Sequence, residues 1–152
     1  MKPIAKYLLI IAISIAYAPT FMGSATAQSA IQPARGSTLR AELLDAARST
    51  FEMETNGPIE FVVRRLNVLG DWAFGDVRLR RPENGQIDWR KTKYAADFAG
   101  GMFDPGGSFF LLRRSGGAWT VIEFATGPTD VVWDGWRTDY KLPANLFERQ
   151  LN

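Results

Sequence analysis

Two breakers, Asn56-Gly57-Pro58 and Thr126-Gly127-Pro128, divide this chain into parts that obey different periodicities. Glycine tolerates positive φ and proline lacks the amide donor a regular element needs, so the chain turns sharply at both. Ahead of the first, Leu39, Leu43, Ala46 and Ala47 recur at helical spacing behind Ser37 or Thr38, either of which can cap, and predict an amphipathic helix over about 38–51. Between the two breakers the apolar residues mostly alternate. One helix followed by alternating strands confines the chain to the α+β class.

Four strands fit the segment between the breakers. Ile59 to Val68 is rich in β-branched residues, but Phe61 and Val63 fall on one parity and Leu66 and Val68 on the other, with Arg64-Arg65 between. A β-bulge at the arginine pair repairs the phase. Gly70-Asp71 turns into a strand over Trp72–Arg80, where Trp72 and Phe74 oppose Ala73, Val77 and Leu79. Residues 81–107 form an irregular insert whose Trp89, Tyr94, Phe98, Met102 and Phe103 are too apolar to be left in water. Ser108–Arg114 and Trp119–Ala125 make a second hairpin around Ser115-Gly116-Gly117. After the second breaker, Asp130 is placed to cap a short helical segment holding Trp133, Trp136 and Tyr140. Pro143 opens a last turn ending at Leu146-Phe147. The expected fold is an N-terminal helix packed on a four-stranded antiparallel sheet of two hairpins, with a short C-terminal helical segment.

The first 27 residues read as an address. Lys2 and Lys6 precede an apolar run from Tyr7 to Ala18, and Ala25-Thr26-Ala27 supplies an A-x-A cleavage signal before Gln28. The rival reading is an uncleaved anchor, but the run spans 12 residues where a membrane helix needs about 20. The organisation expected is a signal peptide over 1–27, a flexible leader over 28–36 and one domain over 37–152, periplasmic or secreted, with no stable membrane span after cleavage. Cleavage removes two lysines and no acid, which leaves 16 basic against 16 acidic residues. Net charge then gives no ground for nucleic-acid binding.

Cysteine and histidine are both absent. Their absence excludes disulfide staples, Ser-His and Cys-His catalysis, Cys/His zinc sites, histidine-held haem and a histidine pH switch. No metal site or cofactor is expected: Asp104-Pro105-Gly106-Gly107 has one acid where a calcium loop needs several, and Gly100-Gly101 and Gly116-Gly117 lack the lysine of a phosphate-binding loop.

Carboxylates are the candidates for acid–base chemistry. Glu123 and Asp130 are the first pair, and Asp130 and Asp134 stand at i,i+4 spacing. Their alternative roles are structural: Asp130 as a helix cap, Glu123 as partner of a cross-strand arginine. The basic residues are unevenly chosen, 13 Arg to 3 Lys after residue 27. Arg78, Arg80, Arg113 and Arg114 lie in or beside strands. On one sheet face they would suit carboxylate or phosphate recognition, with aromatic residues of the insert beside them. The competing role is pairing with local acids.

Leu43-Leu44-Asp45-Ala46-Ala47-Arg48, Gly70-Asp71-Trp72-Ala73-Phe74 and Gly127-Pro128-Thr129-Asp130, taken with the export signal, resemble segments of small secreted α+β proteins of proteobacteria. The element order is similar to that of cystatin-like and NTF2-like rolls. This resemblance implies export and fold, and no activity. The functional expectation is a non-catalytic envelope binding or accessory module for an anionic partner, such as lipopolysaccharide, peptidoglycan or an acidic protein. The alternatives are a small hydrolase using Glu123 and Asp130, and an inhibitor or interaction domain that presents the 81–107 insert to another exported protein.

Overall fold

The computed structural model describes residues 28–149. The export signal read over 1–27 lies outside the described residues. Helix α1 spans Thr38–Thr55, and Ser37 caps it by accepting the Arg40 amide at 3.3 Å. It runs one turn beyond the expected end. Asn56 stops it in a left-handed conformation at φ 54°, and Arg81 reaches back to donate to the Thr55 carbonyl and, at 2.9 Å, to that of Pro58. The guanidinium therefore satisfies a carbonyl that the helix end leaves without a partner and ties the following turn to it.

The four strands are β1 (Glu60–Leu69), β2 (Trp72–Arg80), β3 (Ser108–Ser115) and β4 (Ala118–Thr126), joined as an antiparallel meander in the order β1-β2-β3-β4. Both hairpins are as the alternation indicates. Gly116 and Gly117, at φ 59° and 85°, close the second as a two-residue turn, a geometry that glycine adopts without steric cost. The phase slip in β1 is a bulge: Val63 pairs with Val77 and Arg65 with Asp76, so Arg64 has no opposite number. It lets Phe61, Val63, Leu66 and Val68 all pack with the cluster beneath α1. A second slip, where Leu111 faces Glu123 and Leu112 faces Val121, bulges β4 at Ile122.

Both sheet faces are covered. On one, Leu43, Ala47 and Phe51 of α1 pack on Leu66, Val77, Phe110 and Leu112. On the other, Phe74, Phe109 and Leu111 lie under Trp136, Leu146 and Phe147, delivered by helix α3 (Val132–Asp139) and the turn at Ala144–Leu146. Trp133 and Trp136 thus serve the core, with Trp133 only 4.5 Å from the Phe109 ring. Asn67, fully buried, donates through its amide nitrogen to the carbonyls of Leu146 and Glu148 at 2.8 and 2.7 Å and pins the tail to β1. Trp119 is half-buried at the edge of the α1 cluster.

Three local readings change. Residues 28–36, expected as a loose leader, hold Ile31 in an antiparallel bridge with Val68 (2.9 and 2.8 Å) and bury Ala30 and Pro33. Asp130 does not cap α3: it contributes its backbone carbonyl to Val132, and no side chain caps that helix. The insert contains a 3-10 turn at Trp89–Lys91 and a short helix α2 at Ala95–Ala99; it buries Trp89 and Phe103, while Met102 stays exposed. Gly127 is required by this packing. A Cβ there would sit 2.1 Å from the Phe103 ring, at a φ of 65° that side chains rarely adopt.

Candidate functional site

Strand register decides which arginines meet. Trp72 pairs with Arg113 and Val77 with Ser108, so Arg113 and Arg114 lie at the hairpin end of the sheet while Arg78 and Arg80 lie beyond Ser108 at the other. Trp72 and Arg78 are separated by about 20 Å at ~3.3 Å per residue. Successive residues also point to opposite faces. Arg113 stacks over Trp72 at 5.3 Å, and Arg114 over Trp119 at 5.9 Å. The four therefore do not share a face; they divide into two pairs at opposite ends.

Arg78 and Arg80 share a parity and line a cleft of about 780 Å³ between the end of β2 and the insert, together with Gln86, Asp88, Arg90 and Phe98. The turn that forms its wall closes through the Arg81 amide and the Gly85 carbonyl at 2.8 Å. Arg80 is fixed by Glu60, with Nη2 2.7 Å from the carboxylate and Nε donating at 2.9 Å. Arg90 bonds Asp88 at 2.9 Å, and that hydrogen bond holds the Asp88 carboxyl below the usual carboxylate range. Arg78 is exposed, and among the described residues no acid pairs with it. Phe98 is 36% exposed, its ring edge-on to Phe103, so an accessible aromatic ring joins three guanidiniums at the cleft. The sequence grouped Arg78 and Arg80 with Arg113 and Arg114 on one sheet face; the cleft holds the first two, and joins to them Arg90 and Phe98 of the insert.

The carboxylates are not gathered in this cleft. Glu123 accepts a 2.6 Å hydrogen bond from the Tyr140 hydroxyl, in place of the expected cross-strand arginine, and that bond pushes the Tyr140 phenol up. Asp130 and Asp134 are both exposed. Among the described residues no group of three or more acidic side chains is placed to hold a metal ion.

One constellation escaped the sequence reading. Glu54, 8% exposed in the last turn of α1, takes the Lys93 ammonium at 2.7 Å and the Tyr94 hydroxyl on its two oxygens. The partners come from 39 and 40 residues away, so no local pattern signals them. Burial first, and the Glu54 carboxylate second, push the Tyr94 phenol up to about 12. A raised native pKa means that stability is full below pH ~10 and falls as pH rises toward ~12, because the unfolded chain gives up its proton first. Because the side chain is only partly buried, solvent screens the interaction and the expected loss is about 1 kcal/mol. Urea denaturation between pH 9 and 12 checks it: Tyr94→Phe should flatten that part of the profile, and an unchanged slope would put its origin elsewhere.

No family model, curated protein or solved structure matches this chain. The functional reading therefore rests on the chemistry of the cleft.

Proposed function

We propose that this protein is an exported binding module of the cell envelope, without catalytic activity, whose larger cleft receives an anionic ligand that carries a ring, such as an acidic glycan. The observation that carries this reading is the meeting of Arg78, Arg80 and Arg90 with the accessible Phe98 ring in one cleft of about 780 Å³. Clefts of roughly 300–1,000 Å³ suit small ligands. Guanidinium forks recognise carboxylate or phosphate, and an aromatic face holds a sugar ring or base by stacking. Arg80 is held in place by Glu60, which lowers the ordering cost of a contact, and Arg78 has its donors free. Export is supported by the tripartite pattern ending at Ala25-Thr26-Ala27.

Calorimetry with peptidoglycan and lipopolysaccharide fragments, against a neutral glucan, tests the reading. Arg78→Glu is the variant of choice, because reversing Arg80 would also strand Glu60. Losing a charge-assisted bond and gaining a repulsion should weaken binding at least about tenfold, and affinity should fall as salt rises. Heats equal to those of the neutral glucan for both wild type and variant would remove this reading. The export part is checked separately by intact mass of the protein recovered outside the cytoplasm, which should begin at Gln28.

A further inference from the structure

A second cleft, of about 370 Å³, opens where the 28–36 segment meets the β1 bulge, and four arginines line it: Arg35, Arg40, Arg64 and Arg65. They arrive from separate places. Arg35 lies ahead of α1, Arg40 in its first turn, and Arg64 and Arg65 at the bulge, which displaces the strand's alternation so that both guanidiniums approach one carboxylate. That carboxylate is Asp76, with Arg64 at 2.6 Å on one oxygen and Arg65 at 3.1 Å on the other. Arg65 also donates to the Phe147 carbonyl and lies 5.5 Å from the centre of the Phe74 ring, so its head is fixed from three sides.

The remaining charge is uncompensated. Arg40 meets the Pro33 carbonyl at a long 3.4 Å, and among the described residues neither Arg40 nor Arg35 pairs with an acid. The rest of the lining, Gln32 to Ala34 with Val63 and Leu66, supplies no carboxylate, and no acid stands in the first turn of α1. The positive end of the α1 dipole adds to the same field. Burial, followed by repulsion from Arg35, lowers the Arg40 pKa, so the crowding has a cost in the protein as it stands. A multivalent anion in the cleft would relieve it.

We propose that this cleft binds a phosphoryl oxyanion, as free phosphate or as the terminal group of a phosphate ester. Arg64 and Arg65, braced by Asp76, form its fixed wall, and Arg35 and Arg40 close on it from the α1 side. A phosphoryl dianion presents three oxygens to several forks and carries two charges against the excess, whereas a carboxylate presents one edge and one charge. The cleft has no aromatic lining residue, which separates its ligand from the ring-bearing one proposed for the larger cleft.

The test is calorimetry of the protein in low salt with inorganic phosphate, glycerol 3-phosphate and vesicles carrying phosphatidic acid, each against acetate at matched ionic strength. Saturable binding of at least one phosphoryl probe, above the acetate control, is expected, and the tightest of the three identifies the source. Arg35→Gln and Arg40→Gln should each weaken it at least fivefold. Arg137→Gln, the same charge change on the exposed side of α3, should leave it unchanged. Because Arg40 is half-buried, Arg35→Gln is the decisive variant should Arg40→Gln fold poorly. No phosphoryl binding above acetate, or equal losses in Arg35→Gln and Arg137→Gln, would overturn the proposal; neither result bears on the larger cleft.

Discussion

Gly75→Ala is expected to destabilise the protein by roughly 3 kcal/mol, the upper part of the range for overpacking a well-filled core. Gly75 sits in β2, opposite Leu66 on one side and Phe110 on the other, and a Cβ there would lie 2.1 Å from the tip of the Phe110 ring. That ring has nowhere to go. It is fully buried, with Phe51 at 6.2 Å and Phe61 at 6.1 Å around it. Removing the ring instead, by Phe110→Ala, should cost about 3–5 kcal/mol through the cavity left under α1. The double substitution separates the two effects: the new methyl then occupies part of that cavity, so the pair should cost at least about 1 kcal/mol less than the sum. Urea curves with unchanged slope would give the three values. A Gly75→Ala variant within about 0.5 kcal/mol of wild type would show that the Phe110 ring does not rest on that glycine.

Gly75 also marks how far the fold was legible. Elements whose logic is local could be read in advance: the Ser37 cap, the Gly116-Gly117 turn and even the bulge, because the parity of Phe61, Val63, Leu66 and Val68 changes across Arg64-Arg65. What stayed hidden depends on partners far along the chain. Period-two counting sends charged and amide side chains outward, yet Asn67 and Asp76 are buried, the Asn67 amide nitrogen donating to carbonyls 79 and 81 residues away and Asp76 held by arginines across the hairpin. The last turn of α1 is missed for the same reason, since its buried residues are Glu54 and Thr55 and periodicity counts neither as core.

The arginine face was the larger miss, and its cause is register. Arg78 and Arg113 are both strand residues, but β2 and β3 are joined through residues 81–107, and nothing in that insert states which end of one strand meets which end of the other. Only the pairing of Trp72 with Arg113 sends them apart. The smaller cleft was hidden twice over. Arg35 belongs to a segment that reads as a leader, and the change of parity across Arg64-Arg65 does not show which residues outside the sheet those side chains meet.

Asp76→Ala should have an effect on stability of about 3 kcal/mol, the lower end of what breaking a buried ion pair costs. The side chain is 11% exposed and holds Arg64 and Arg65 in the strand that β2 pairs with, so its loss leaves two guanidiniums without their counter-charge, that of Arg65 beside the Phe74 and Trp133 rings. Arg64 tempers the penalty, because its own side chain is 41% exposed and water can receive it, whereas Arg65, at 18%, cannot turn out so readily. A loss below about 0.5 kcal/mol would mean that the bridge behaves as an ordinary surface pair. The buffer anion adds a second reading of the same variant. Without Asp76 the four arginines of the smaller cleft face no carboxylate at all, so an oxyanion there neutralises more unrelieved charge and should bind more tightly than in wild type. Anything that binds the folded state alone at free concentration L stabilises it by RT ln(1 + L/Kd), so the tighter binder gains more at the same anion concentration. Replacing chloride with phosphate at matched ionic strength should therefore narrow the gap between variant and wild type, and a gap that is the same in both salts would disconnect Asp76 from anion binding while leaving its structural cost intact.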